Sequence, residues 1–155
     1  EYSLATLYDG CYTFVEALDA HHAPDAHAAV VELWQALGAE VRTIAPDLHD
    51  ATLARTSHVP HVAAACLARL TEQCPDPRPF VAGGFRDTTR IAAGPAEVWR
   101  DICLTNREAV LDALDSFQSE IEIIRTAVAD SDGPALEDFF RKGAEARARA
   151  LEDWS

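Results

Sequence analysis

The sequence predicts a mainly α-helical chain preceded by a short strand-helix-strand unit. Three observations predict it. Hydrophobic residues make up 48% of 155 positions, enough to build a core. Residues favouring β structure cluster in only two runs, both ahead of Pro46, and nearly everything after Pro46 is alanine-rich with helical period. A chain of this length suits one domain, or one domain plus a fragment of another.

The first β-rich run is Tyr12-Thr13-Phe14-Val15 and the second Val41-Arg42-Thr43-Ile44. Between them Pro24-Asp25 opens a helix and Gly38 closes it, with Val30, Val31, Leu33, Trp34 and Leu37 at helical spacing. Such a unit joins parallel strands, whose sheets normally have more members, so residues 1–45 read as the tail of a larger α/β domain and 46–155 as a helical domain.

Pro46-Asp47 opens a helix to about Glu72, with Leu48, Leu53, Val62, Ala65, Cys66 and Leu70 as expected core positions. Pro60 lies inside it and predicts a kink, because a proline removes one backbone donor and crowds the preceding turn. Cys74 to Pro79, with three prolines, is a loop. Gly83-Gly84 precede a short helix from about Phe85 to Ala93, and Gly94-Pro95 breaks it before another from Ala96 to about Asn106. From Arg107 to Ala129, Val110, Leu114, Phe117, Ile121, Ile124 and Val128 form a heptad seam, to be covered within the subunit or by a second copy, the first slightly favoured. After a turn at 130–134, Leu136, Phe139, Phe140, Ala144 and Leu151 mark a last amphipathic helix.

Charge excludes some partners. With 13 basic and 26 acidic residues the net charge is −13, and the single lysine is Lys142. A nucleic-acid binder needs a basic face, and an anionic membrane would repel this chain. No apolar run reaches the ~20 residues that cross a bilayer, and Glu1-Tyr2-Ser3 lacks the basic start of a signal peptide, so a cytoplasmic protein is expected. Cys11, Cys66, Cys74 and Cys103 show no C-x-x-C spacing, so buried reduced thiols are expected.

The charge is uneven. Residues 1–49 carry one basic and eight acidic residues, net −7, and residues 108–155 carry five and twelve, also −7. Residues 50–107 carry seven and six, net +1, so an anionic ligand belongs there. On one helix Asp50, Ala54, His58 and His61 share a stripe, with Ser57 one turn from His61. The stripe lines a cavity, or it is solvated or bonded to carbonyls freed by Pro60. A metal site using His58, His61 and Asp50 is a third alternative that lacks a convincing third ligand. Gly83-Gly84 let a ligand approach a helix start, and Arg86 and Arg90 lie one turn apart. Asp87 can pair with Arg90 and orient its guanidinium, which grips a carboxylate well, although a plain surface ion pair explains the same residues.

Taken together, His49-Asp50, Ser57-His58-Val59-Pro60-His61, Gly83-Gly84-Phe85-Arg86-Asp87-Thr88-Thr89-Arg90-Ile91-Ala92, Trp99-Arg100-Asp101-Ile102 and Asn106-Arg107 resemble the C-terminal half of prephenate dehydrogenases in order and spacing. Val59 stands where leucine is more usual. The start, with Leu7-Tyr8-Asp9-Gly10, is similar to a loop and strand late in that family's nucleotide-binding domain.

The resemblance implies an all-helical dimerisation domain, like the C-terminal domain of 6-phosphogluconate dehydrogenase, preceded by the remnant of a Rossmann domain. It implies tyrosine biosynthesis: oxidative decarboxylation of prephenate, or of arogenate, with NAD or NADP, in a homodimer, with tyrosine as a further candidate ligand. Arg90 would bind the substrate carboxylate and Asp87 would belong to its ionic network. His58, His61, Ser57 and His49 would line the pocket with Gly83 and Trp99. No metal is implied. The seven glycines form no G-x-G-x-x-G, so the dinucleotide fingerprint and the family's catalytic histidine are expected upstream of Glu1, and the chain alone is expected to be inactive. A rival from another class is a helical sensor of tyrosine or prephenate without redox chemistry.

Overall fold

The computed structural model describes residues 6–8, 11–13, 24–38, 41 and 44–152. Strands β1 (Thr6–Tyr8) and β2 (Cys11–Thr13) pair antiparallel, Leu7 opposite Tyr12. The two intervening residues are Asp9-Gly10, a dipeptide strongly favoured between hairpin strands. Helix α1 spans Pro24–Ala36, with Gly38 beyond its end at φ +85°. The first predicted strand is thus found at Cys11–Thr13, with residues 14 and 15 outside the described residues. Its partner is β1, not the run at 41–44. Val41 and Ile44 lie in irregular chain, and residues 42 and 43 are outside the described residues. A strand exists only through its ladder, and no described residue pairs with that run.

The remainder is helical: α2 (Pro46–Leu53), a π-helical segment (Ala54–His58), α3 (Val59–Leu70), α4 (Gly83–Thr89), a 3-10 turn (Arg90–Ala93), α5 (Ala96–Thr105), α6 (Arg107–Ala129) and α7 (Gly133–Ala150). Prolines punctuate it where expected, Pro46 opening α2 and Pro95 capping α5. The residues group into two compact units, 1–110 and 111–155.

In the first unit the helix from Pro46 onward runs through Pro60 by widening. Pro60 has no N–H to return to the carbonyl one turn back, and the backbone answers with the π segment, closed by the Val59 N–H bonding the Ala54 carbonyl. The wide turn advances the phase of everything after it. Ala65, Cys66 and Leu70 are therefore exposed instead of forming the expected core, and Leu48, ahead of the turn, is exposed as well, while Ala54 (0% exposed), Val59 and Ala64 (1%) are buried. The same rotation turns Cys66 outward; Cys74, beyond α3, is also exposed and Cys103, on α5, is half-buried, so these thiols are not the buried ones expected. The buried face of α3 is built from small residues, and α4 and the 3-10 turn pack against that helix.

In the second unit Asp132 caps α7, its carboxylate accepting the Ala135 N–H at 3.0 Å after a turn with Ser131 at φ 53°. Ala113 and Ala127 are buried, and Leu114, Ile124, Leu136 and Phe139 half-buried. Of the seam, Val110, in the first unit, is buried, whereas Phe117, Ile121 and Val128 are exposed, as are Leu111 and Ile123 on the same helix. Of the predicted α7 face, Phe140, Ala144 and Leu151 also remain exposed. No helix among the described residues is long and apolar enough to cross a membrane.

Ala64 leaves no room for a longer side chain. Ala64→Leu is expected to lower unfolding stability by about 1–3 kcal/mol through overpacking, measured as a lower midpoint in urea denaturation.

Candidate functional site

The π segment turns His58 inward, where it is only 7% exposed, and leaves Asp50 exposed at the start of the stripe. His61, one helical turn on, is half-buried. Its Nδ1 lies 2.9 Å from the Ser57 carbonyl. A carbonyl only accepts, so Nδ1 carries the proton and Nε2 remains for a ligand. The expected Ser57–His61 link therefore runs through the serine backbone.

Trp99, on α5, joins the two imidazoles. Its indole stacks on His61 with ring centroids 3.5 Å apart and planes inclined by 26°, and meets His58 edge-on at 6.5 Å. Gly94 makes this possible. A Cβ there would lie 2.6 Å from the indole nitrogen, and the backbone, at φ −64° and ψ 159°, is open to any residue, so the glycine serves clearance alone. His49 donates from Nδ1 to the Asp50 carboxylate at 2.9 Å. Asn106, at the end of α5, reaches the Asp50 carbonyl at 2.9 Å and His58 Nδ1 at 3.3 Å.

Burial pushes the His58 imidazole below its ordinary pKa; the Asp50 carboxylate partly opposes this, and His49 and His61 reinforce it. His58 is thus held neutral in a cluster whose polar atoms are organised chiefly by backbone carbonyls and one amide.

Gly83, Asp87 and Arg90 stand apart from this hydrogen-bonded cluster, on α4 and the turn after it, elements that pack on α3. Arg90 is exposed at the first position of the 3-10 turn. The expected Asp87–Arg90 pair is not formed. Thr89, at φ −93° and ψ −2°, departs from helical geometry between them, and its hydroxyl turns back to the Phe85 carbonyl at 2.6 Å. No ion pair among the described residues engages either side chain, leaving the guanidinium uncommitted. A Cβ at Gly83 or Gly84 would meet nothing within 4 Å, so neither glycine is required by packing.

An apolar cleft of about 400 Å³ opens between the end of α3 and α4, lined by Leu67, Leu70, Cys74, Gly84 and Phe85 among others. It shares no lining residue with the histidine cluster. Among the described residues no three His, Cys, Asp or Glu side chains come together to hold a metal ion, so the alternative placing one on His58, His61 and Asp50 lacks a ligand set. Sequence reasoning missed Asn106 and Gly94 as site residues. Asn106 was visible only as part of a motif and Gly94 only as a helix breaker, because their roles depend on contacts across the fold.

Comparison with known proteins places this geometry. The family model described as "Prephenate dehydrogenase, dimerization domain" matches residues 45–142, which contain the whole cluster. The chain is 37% identical over 141 residues to the cyclohexadienyl dehydrogenase of Zymomonas mobilis, covering 87% of this chain and 48% of that protein. It is 39% identical over 108 residues to the prephenate dehydrogenase of Bacillus subtilis, covering 67% of this chain and 29% of that one. In fold it is similar to the prephenate dehydrogenase of A. aeolicus, crystallised with hydroxyphenyl propionate and NAD+, at a TM-score of 0.80 and 24% identity over 90% of this chain and 50% of that chain. The chain thus spans less than half the length of either of those two relatives. With the family model matching well over half of its residues, the chain belongs to the prephenate dehydrogenase dimerization-domain family.

Proposed function

We propose that this chain forms the substrate-binding and dimerisation part of an NAD(P)-dependent prephenate or arogenate dehydrogenase of tyrosine biosynthesis. The observation that carries the reading is the convergence of His58 and His61 on the Trp99 indole, inside the span that matches the family. In the proposed reaction a hydride leaves the hydroxyl-bearing ring carbon of prephenate, the bond to the ring carboxylate breaks, and its electrons aromatise the ring as carbon dioxide departs. NAD(P)+ supplies the hydride acceptor.

The chain's own residues do not fit a dinucleotide site. Their glycines make no G-x-G-x-x-G, and the helix beginning at Gly83 follows a short 3-10 turn at Arg78–Phe80 instead of a strand. The dinucleotide accordingly belongs to polypeptide outside this span. The part left to this chain is to hold a dianion and orient its reacting carbon, which is how remote binding energy lowers a barrier. Arg90, exposed and free of ion pairs, is suited to a substrate carboxylate. His58, His61, Ser57 and His49 supply the polar wall, Trp99 an aromatic one, and Asp87 and Gly83 lie on α4, the helix that leads into Arg90. The site falls in the one stretch whose net charge is not acidic.

A second copy of the chain is the proposed cover for α6. Phe117, Ile121 and Val128 keep the heptad spacing yet stand in solvent, a face that belongs on another helix.

Three outcomes test the reading in the intact protein. Arg90→Ala is expected to raise KM for prephenate by about ten-fold or more through loss of a charge-assisted bond worth ~1.5–3 kcal/mol; unchanged kinetics would refute the role. Ile121→Glu is expected to shift sedimentation from dimer to monomer at micromolar concentration, and a wild-type monomer would overturn the dimer. The third is pH dependence. Because His58 binds its proton less readily when folded, stability is complete above its ordinary pKa of about 6.5 and falls as pH drops below that value. His58→Gln is expected to flatten the decline in melting temperature between about pH 7 and pH 5; an equally steep decline would show that the ring does not carry it.

A further inference from the structure

We propose that Asn106 is a positioning residue that fixes His58 in the tautomer with its proton on Nε2, so that a neutral ring offers a hydrogen-bond donor to an oxygen of the bound anion. The proposal rests on the reading of this cluster as the substrate pocket and adds to it a residue and a protonation form.

The geometry leaves little choice. Asn106 Nδ2 lies 2.9 Å from the Asp50 carbonyl and 3.3 Å from His58 Nδ1. With the amide flipped, two oxygens would face each other across 2.9 Å, so the nitrogen must face the carbonyl. The amide nitrogen has two hydrogens. One goes to Asp50 and the other to His58, and a nitrogen that receives a proton donor must present a lone pair. Nδ1 of His58 is therefore bare, and the proton of the neutral ring sits on Nε2, for which the described residues provide no partner.

Asn106 is itself well anchored. Its N–H bonds the Ile102 carbonyl at 3.0 Å, closing α5, and its carbonyl accepts the Val110 N–H at 3.0 Å, opening α6. The Asp50 carbonyl that it holds also accepts the Ala54 N–H at the end of α2. One amide thus links the helix before the π segment, the histidine at the end of that segment and the α5–α6 junction. His61 is set differently: the Ser57 carbonyl takes its Nδ1 proton and leaves a bare Nε2 in the neutral ring. The pair presents one fixed donor and one adaptable nitrogen, a combination suited to a ligand with both an anionic oxygen and a hydroxyl.

The test is long-range proton–nitrogen NMR of the histidine rings in the intact protein, with Asn106→Asp, Asn106→Ala and His58→Gln, alongside prephenate kinetics. Wild-type His58 is expected to show Nε2 protonated and Nδ1 bare. Asn106→Asp, nearly isosteric, replaces the donor with an acceptor and is expected to bring a proton onto Nδ1. Asn106→Ala is expected to raise KM for prephenate about two- to twelve-fold, the equivalent of one neutral hydrogen bond. That rise is expected to vanish in the His58→Gln background, where the side-chain amide supplies its own donor. A wild-type ring protonated at Nδ1, or a ring spectrum unaltered by Asn106→Asp, overturns the proposal without reference to substrate. The expected ring spectra in a protein that neither binds nor turns over prephenate would support the positioning role and overturn the proposed function.

Discussion

One missing hydrogen organises the first unit. Pro60 sits in a helix that continues on both sides of it, and because its nitrogen has nothing to donate, the chain opens into a wider turn at residues 54–58. That turn places Ala54 and His58 on the inside and sends Leu67 and Leu70 of α3 outward. A straight helix with alanine at this position would carry the same residue types on a different face. The kink expected at a proline is here a change of phase, which matters more to the site than a change of direction.

The rest of the cluster is built by components that hold these two rings without charging them. The Ser57 carbonyl orients one imidazole, the Asn106 amide the other, and the Trp99 indole lies against both. None brings a full charge to the rings. The neighbouring carboxylate, Asp50, is occupied by His49, and the net effect of the surroundings is to disfavour a proton on His58. Arg90 stands on a separate turn, with no carboxylate paired to it among the described residues. Keeping charge away from the buried rings avoids the cost of burying an unpaired ion.

Much of this was legible in the residues themselves. Helix limits were, because proline and glycine mark them by covalent geometry: Pro46, Pro95 and the 107–129 helix fall where spacing put them. The candidate residues His58 and His61 stood out by chemistry and Trp99 through the family resemblance, and the fold places them together. What could not be read was phase and distance. The face of α3 depends on how the backbone accommodates Pro60, so the core expected at Ala65, Cys66 and Leu70 does not form. The Asp87–Arg90 pair presumed a continuous helix that Thr89 interrupts. Asp9-Gly10 marks the antiparallel hairpin, but β propensity, which is as high at 41–44, does not say which run pairs with which. Asn106 acts across 48 residues of sequence, a separation over which no periodic pattern speaks.

Gly94 shows what this arrangement costs. Its backbone angles suit any amino acid, and an alanine at such a position ordinarily stabilises a protein by about 0.4–1 kcal/mol, by narrowing the conformations open to the unfolded chain. Here a methyl group would strike the indole. The molecule therefore forgoes an accessible gain in robustness to keep one aromatic plane flat against an imidazole, and efforts to harden this protein against heat by replacing its glycines would meet their limit at that position.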